Sequence, residues 1–165
     1  MPTRYAGTES EIRALNAHIK LLRAAESVAA RLTGLIAEQT GLTITQFGVL
    51  EGLLHLGPLC QKEIAEKQLK SGGNMTLVID NLDKRDLVRR KRSQEDRRLV
   101  IVHLTKPGTK LISDYFPHHA KAVEHEMGVL TASEQNQLAK LTRKLGLQIG
   151  RSGDGSYPES CYPRA

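Results

Sequence analysis

Tryptophan is absent from the 165 residues, and the aromatic side chains are few, four Tyr and two Phe. A surface that stacks unpaired bases depends on such rings, so a single-strand nucleic-acid platform is poorly supported. The two cysteines, Cys60 and Cys161, are too few for a disulfide framework, which points to a reducing, cytoplasmic compartment. No run approaches the roughly 18 consecutive apolar residues of a membrane span. The N-terminal MPTRYAGTESEIR lacks the charged-then-apolar pattern of a secretory signal. G-x-S-x-G, Walker A and H-E-x-x-H motifs are missing, and Val129 stands where a second zinc-binding His would have to follow His125-Glu126. His118, His119 and His125 include no pair at the four-residue spacing that brings two imidazoles onto one helical face. Secreted, membrane and collagen-like classes are thereby excluded, no enzyme is expected, and neither cofactor nor metal is called for.

What the chain does have is a core and a concentrated charge. Hydrophobic residues make up 39% and charged residues 25%, enough apolar material for a globular fold, and the length fits one domain or a domain with an extension. The net charge is +6, and the segment 84–98 holds five of those six charges through Lys84, Arg85, Arg89, Arg90, Lys91, Arg92, Arg97 and Arg98 against Asp86, Glu95 and Asp96. A positive field this local attracts a polyanion, although a merely solvated charged face would read the same way.

Periodicity predicts a long first helix over 10–38, where Ile12, Leu15, Ile19, Leu22, Ala25, Ala29, Leu32 and Ile36 recur at three- and four-residue steps, with Thr8 and Glu11 spaced as a capping box. Thr43 and Gln46 have the same spacing at the head of a second helix that Gly57-Pro58 ends. A short third helix is expected from Gln61 to Leu69. Lys70-Ser71-Gly72-Gly73 reads as a turn with Ser71 as N-cap, and a fourth helix follows over 72–85 with Met75, Val78, Ile79 and Leu82 inward. The period then changes to that of two strands, Leu87–Arg92 and Arg98–Leu104, around a polar Ser93-Gln94-Glu95-Asp96 turn. Thr105 caps a fifth helix in which Pro117 is a candidate kink or break, and Thr131 with Glu134 opens a sixth bearing Leu138, Leu141 and Leu145. The Gly-, Ser- and Pro-rich stretch from Gly150 onward reads as a disordered tail.

Two short helices joined by a tight turn, the second polar at its start, describe a helix-turn-helix, whose second helix fits the major groove. The run LTITQFGVLEGLL, then QKEIAEKQLKSGGNMTLVIDNLDKRDLVRRKRSQEDRRLVIVHLTKPG, resembles the MarR family of winged helix-turn-helix regulators, most specifically from Leu69 to Val88 and at Asp96-Arg97-Arg98. The resemblance covers residues 40–110 and implies a mainly α fold with a small β-hairpin wing, flanked by long dimerisation helices. The implied parts are an N-terminal dimerisation helix (1–40), a DNA-binding lobe (41–105), C-terminal dimerisation helices (106–150) and the tail (151–165). It further implies a homodimer that binds double-stranded DNA at a pseudo-palindromic operator, as a repressor released by a small organic effector or by oxidation. A winged helix used as a protein-interaction adaptor is the alternative, since fold does not dictate function.

Carried over by position, Ser71, Gly72, Gly73, Asn74 and Thr76 fall where the family's recognition helix enters the groove. Asn74 has the side-chain amide that bonds adenine bidentately, with helix capping as its other role. Gly72 and Gly73 allow close approach of phosphate, which turn geometry would equally explain. Leu77 departs from the Arg many members place there. Arg97 or Arg98 is expected in the minor groove, with Asp96 orienting its neighbour. Arg89, Arg90 and Arg92 are phosphate candidates, of which Arg90 and Arg92 share one strand face and Arg89 takes the other. Cys60, at the head of the third helix, is a candidate thiol sensor or a small core residue. Arg13, His18, Arg31, Tyr115 and Phe116 are the candidates for an effector crevice.

Overall fold

The computed structural model describes residues 4–68, 72–93 and 99–149. Among the described residues there are six helices, α1 (Glu9–Thr40), α2 (Ile44–Leu56), α3 (Gln61–Lys67), α4 (Gly72–Lys84), α5 (Lys106–Met127) and α6 (Ala132–Ile149), and three strands, β1 (Leu59–Cys60), β2 (Val88–Arg92) and β3 (Val100–Leu104). Met1–Val123 and Glu124–Ala165 form two compact units.

The helix starts follow local chemistry. Thr8 and Glu11 form the expected capping box, and Thr43 and Gln46 form another. At α3 the backbone N–H of Cys60 donates to Glu63 at 2.7 Å. α1 ends at Gly41, whose φ of 64° is a left-handed cap that glycine adopts without strain. Arg85 donates to the carbonyls of Gly41 and Thr40 at 2.8 and 3.2 Å, so two orphan acceptors of α1 are met from the far end of α4. α4 closes with Asp86 at φ 54° and a Leu87 N–H bond back to the Leu82 carbonyl. The Asp86 carboxylate then accepts from Arg89 at 2.9 Å.

The core lies between α2, α3, α4 and one face of the sheet. Phe47, Leu50, Ile64, Met75, Ile79, Leu82, Val88, Val102 and Ile112 are all buried, and the Phe47 and Tyr115 rings meet edge to face at 5.8 Å. Burial of one such side chain stabilises by about 1.5–3 kcal/mol. The hairpin pairs Val88 with Leu104, Arg90 with Val102 and Arg92 with Val100. β1 extends the hairpin to a three-stranded antiparallel sheet, pairing Leu59 with Val102 and Cys60 with Ile101. That strand has two residues and no alternation of its own; pairing with β3 alone defines it.

Pro117 does not end α5, which runs unbroken from Lys106 to Met127. Pro117 and Ser113, whose carbonyl loses its donor, both lie on the exposed face, where water meets that carbonyl. Within the second unit, the Gln135 side-chain amide donates to the carbonyls of Met127 and Leu130, both at 3.1 Å, and ties the start of α6 to the turn before it. Among the described residues no helix is long and apolar enough to cross a membrane. The tail from Gly150 and Cys161 lie outside the described residues.

Candidate nucleic-acid interface

α4 divides cleanly. Met75, Ile79 and Leu82 are wholly buried, while Gly72, Gly73, Asn74, Thr76, Leu77 and Lys84 are exposed. Both glycines belong to the first helical turn, not to the turn expected before it, and neither has the positive φ found at Gly41 and Gly57. A Cβ added at either would meet nothing within 4 Å among the described residues. Neither their backbone geometry nor packing among the described residues therefore requires glycine here, although each costs the helix about 1 kcal/mol relative to alanine. Open space above bare backbone at a helix N-terminus suits an anion.

Asn74 is exposed beside those glycines and lines a recess of about 220 Å³ with Thr45, Met75, Leu77 and Val78. Asn74, Leu77 and Lys84 continue along one side of the helix. Thr76 occupies the adjacent side: its hydroxyl accepts from the Gln61 amide and donates to the Gly72 carbonyl at 3.2 Å.

On β2 the pleat sorts the basic residues. Arg90 turns toward α4, where Nη1 lies 2.6 Å from Asp80 Oδ1 and 3.8 Å from Asp83 Oδ2, and Nη2 donates to the Thr76 carbonyl at 3.4 Å. Arg89 and Lys91 take the opposite face, over a recess of about 410 Å³ shared with His103 and Lys106. Arg92 is exposed and has no hydrogen-bond or ion-pair partner among the described residues. The candidates Gly72, Gly73, Asn74, Thr76, Arg90 and Arg92 thus gather on α4 and the adjoining strand. Ser71 and the wing residues Asp96, Arg97 and Arg98 lie outside the described residues. Asp80, Asp83 and Gln61 were not singled out from sequence; two acids three residues apart on the polar side of α4, just ahead of a basic strand, are the signal that marks the first two.

The sensor candidates are dispersed. Cys60 is half-buried beside Glu63, whose carboxyl is held below the usual 4.5 first by the Cys60 backbone N–H and then by its side chain. Tyr115 is buried and Phe116 half-buried, in a ring cluster where His119 lies 4.6 Å from Phe47 and His55 lies 4.6 Å from Phe116. Desolvation raises the Tyr115 hydroxyl above its ordinary 10.0. Arg13, His18 and Arg31 are exposed on α1, where Arg31 donates to Ser27 at 2.7 Å. Among the described residues no group of three or more His, Cys, Asp or Glu side chains is placed to hold a metal.

Comparison with known proteins agrees with this geometry. Residues 31–115 match the family model of the transcriptional regulator SarA/Rot. The HTH-type transcriptional regulator MhqR of Bacillus subtilis is 36% identical over 107 residues, 65% of this chain and 74% of that protein. The HTH-type transcriptional regulator YkoM of the same organism is 32% identical over 145 residues, 87% of this chain and 94% of that one. Among solved structures, the MarR family regulator Sco3205 of Streptomyces coelicolor in complex with DNA superposes with a TM-score of 0.78 at 20% identity, over 88% of this chain and 92% of that one.

Proposed function

Because this chain belongs to the MarR family of winged-helix transcriptional regulators, we propose that it works as a homodimeric repressor on a pseudo-palindromic operator and is released by a small organic ligand. One observation carries the DNA-reading part. The first turn of α4 exposes two glycines that no packing among the described residues requires, with Asn74 beside them, and the basic strand β2 follows. In this reading Gly72, Gly73 and Ser71 admit a backbone phosphate, Asn74 reads adenine, Arg92 meets phosphate, and Arg97 or Arg98, oriented by Asp96, enters the minor groove.

The homodimer is supported by apolar side chains that a lone protomer leaves in water. Leu22 and Leu35 are exposed on α1, and Leu138, Leu141 and Leu145 on α6. A second copy covering these faces would make 1–40 and 106–150 the dimerisation helices around the lobe 41–105. Half-sites would then be spaced by roughly 34–36 Å, and an effector that alters this spacing breaks both contacts at once.

The test is selection of bound duplexes from a random pool at two salt concentrations. Enrichment of an inverted repeat about one turn between half-site centres, with log affinity falling steeply against log salt, is the expected result. Weak, unselective binding even at low salt would replace this reading with the protein-interaction adaptor.

A further inference from the structure

Arg90 is the one basic residue of β2 that is not exposed, its side chain retaining 26% of its accessible surface. Building on the DNA-binding reading above, we propose that Arg90 is a positioning residue: it clamps β2 to α4 and so sets the offset between the base-reading turn of the helix and the basic wing.

A guanidinium is a planar fork, and here each arm has a place. One arm lies against the Asp80 and Asp83 carboxylates, the other against the Thr76 carbonyl. Thr76, Asp80 and Asp83 recur at four- and three-residue steps and form one stripe along α4, next to the stripe of Asn74, Leu77 and Lys84. The clamp therefore grips the helix two residues past Asn74. The Thr76 hydroxyl also accepts from Gln61 at the start of α3, so a polar belt runs from α3 across α4 to the wing strand. A DNA phosphate taking Arg90 would have to displace two carboxylates and leave both facing it. With two acids around one base, this spot carries a net negative charge and repels that phosphate.

The clamp and a phosphate contact predict opposite signs for one double variant. Asp80→Asn with Asp83→Asn frees Arg90 from both carboxylates and removes two negative charges. Affinities are measured by fluorescence anisotropy for the selected duplex and for a random duplex of equal length, over a salt series. The clamp predicts that the selected-to-random ratio falls about tenfold while affinity for random DNA is kept or rises. Arg90→Gln should lower the ratio similarly and leave the salt slope unchanged. Arg90→Lys, one point cation in place of a fork, should behave like Arg90→Gln.

The proposal is overturned if the double Asn variant keeps its ratio and tightens on both duplexes, or if Arg90→Gln lowers the salt slope by about one, the signature of a lost phosphate contact. An Arg90→Lys variant equal to wild type overturns it as well. Circular dichroism verifies folding, and where Arg90→Gln unfolds, the double Asn and Lys variants carry the test. A wild-type protein with no preference between the duplexes defeats the DNA-binding reading itself, an outcome distinct from loss of preference in the variants alone.

Discussion

One added methyl group at Gly108 tests how α5 is anchored to the end of α4 and the start of the wing. A Cβ there would lie 1.9 Å from the Leu87 carbonyl oxygen, 2.8 Å from its carbon and 3.2 Å from its Cα, all backbone atoms without rotamers to yield. Carbon–oxygen contacts settle near about 3.3 Å, so the two segments must part by roughly 1.4 Å. That displacement breaks the 3.2 Å bond from the Thr105 N–H to the Leu87 carbonyl and strains the Thr105 hydroxyl bond to Asp86. Overpacking costs about 1–3 kcal/mol and the backbone bonds about 1 kcal/mol each, against a gain of about 1 kcal/mol in helix propensity. Gly108→Ala should therefore lose about 2–4 kcal/mol in urea unfolding followed by circular dichroism at fixed protomer concentration. Gly52→Ala is the control, because a Cβ there meets nothing within 4 Å among the described residues, and it should be neutral or stabilising by up to about 1 kcal/mol. A Gly108→Ala protein as stable as wild type would refute the close approach of Leu87 to α5.

Three other outcomes follow from the structure. Asn74→Ala should relax base preference at one position per half-site, by about 1–3 kcal/mol in competition with substituted duplexes, whereas Arg97→Ala with Arg98→Ala should weaken binding to all sequences and flatten the salt slope. Leu141→Glu with Leu145→Glu, placing acids on the exposed face of α6, should shift sedimentation toward the monomer and lower operator affinity in parallel; an unchanged oligomer would remove α6 from the dimer reading. Glu11, Glu63 and Glu134 are each held below the ordinary 4.5 by the backbone N–H of Thr8, Cys60 and Thr131. Their caps therefore contribute fully above about pH 4.5, and that contribution is lost as the pH falls through the lowered values. Melting temperatures from pH 7 to pH 3 should drop less steeply when all three are Gln, and an unaltered pH profile would discount the caps.

The helix boundaries were legible in the sequence because they rest on contacts three or four residues apart: Thr8 with Glu11, Thr43 with Gln46, Thr131 with Glu134. The inward face of α4 was legible for the same reason, as a 3.6-residue period. β1 was not, since Leu59 and Cys60 become a strand only through β3, some forty residues on. The unbroken path of α5 through Pro117 depends on which side of the helix meets solvent, a tertiary fact. At the interface, residue types singled out Asn74 and the glycines, but they cast Arg90 as a surface cation. Its partners are Asp80 and Asp83, and only the folded hairpin brings the guanidinium to them.

The strand order β1-β3-β2 leaves β2 as an outer edge of the sheet, where among the described residues one row of its backbone donors and acceptors has no strand partner. Such a row is a template on which another chain can add a strand. Three of the β2 cations, Arg89, Lys91 and Arg92, are exposed, so two copies meeting there would bring like charges together. Charge on an edge strand opposes its pairing with a second copy. Variants that neutralise it to probe DNA contacts will also uncover this edge, and their loss of binding must be separated from the aggregation they invite.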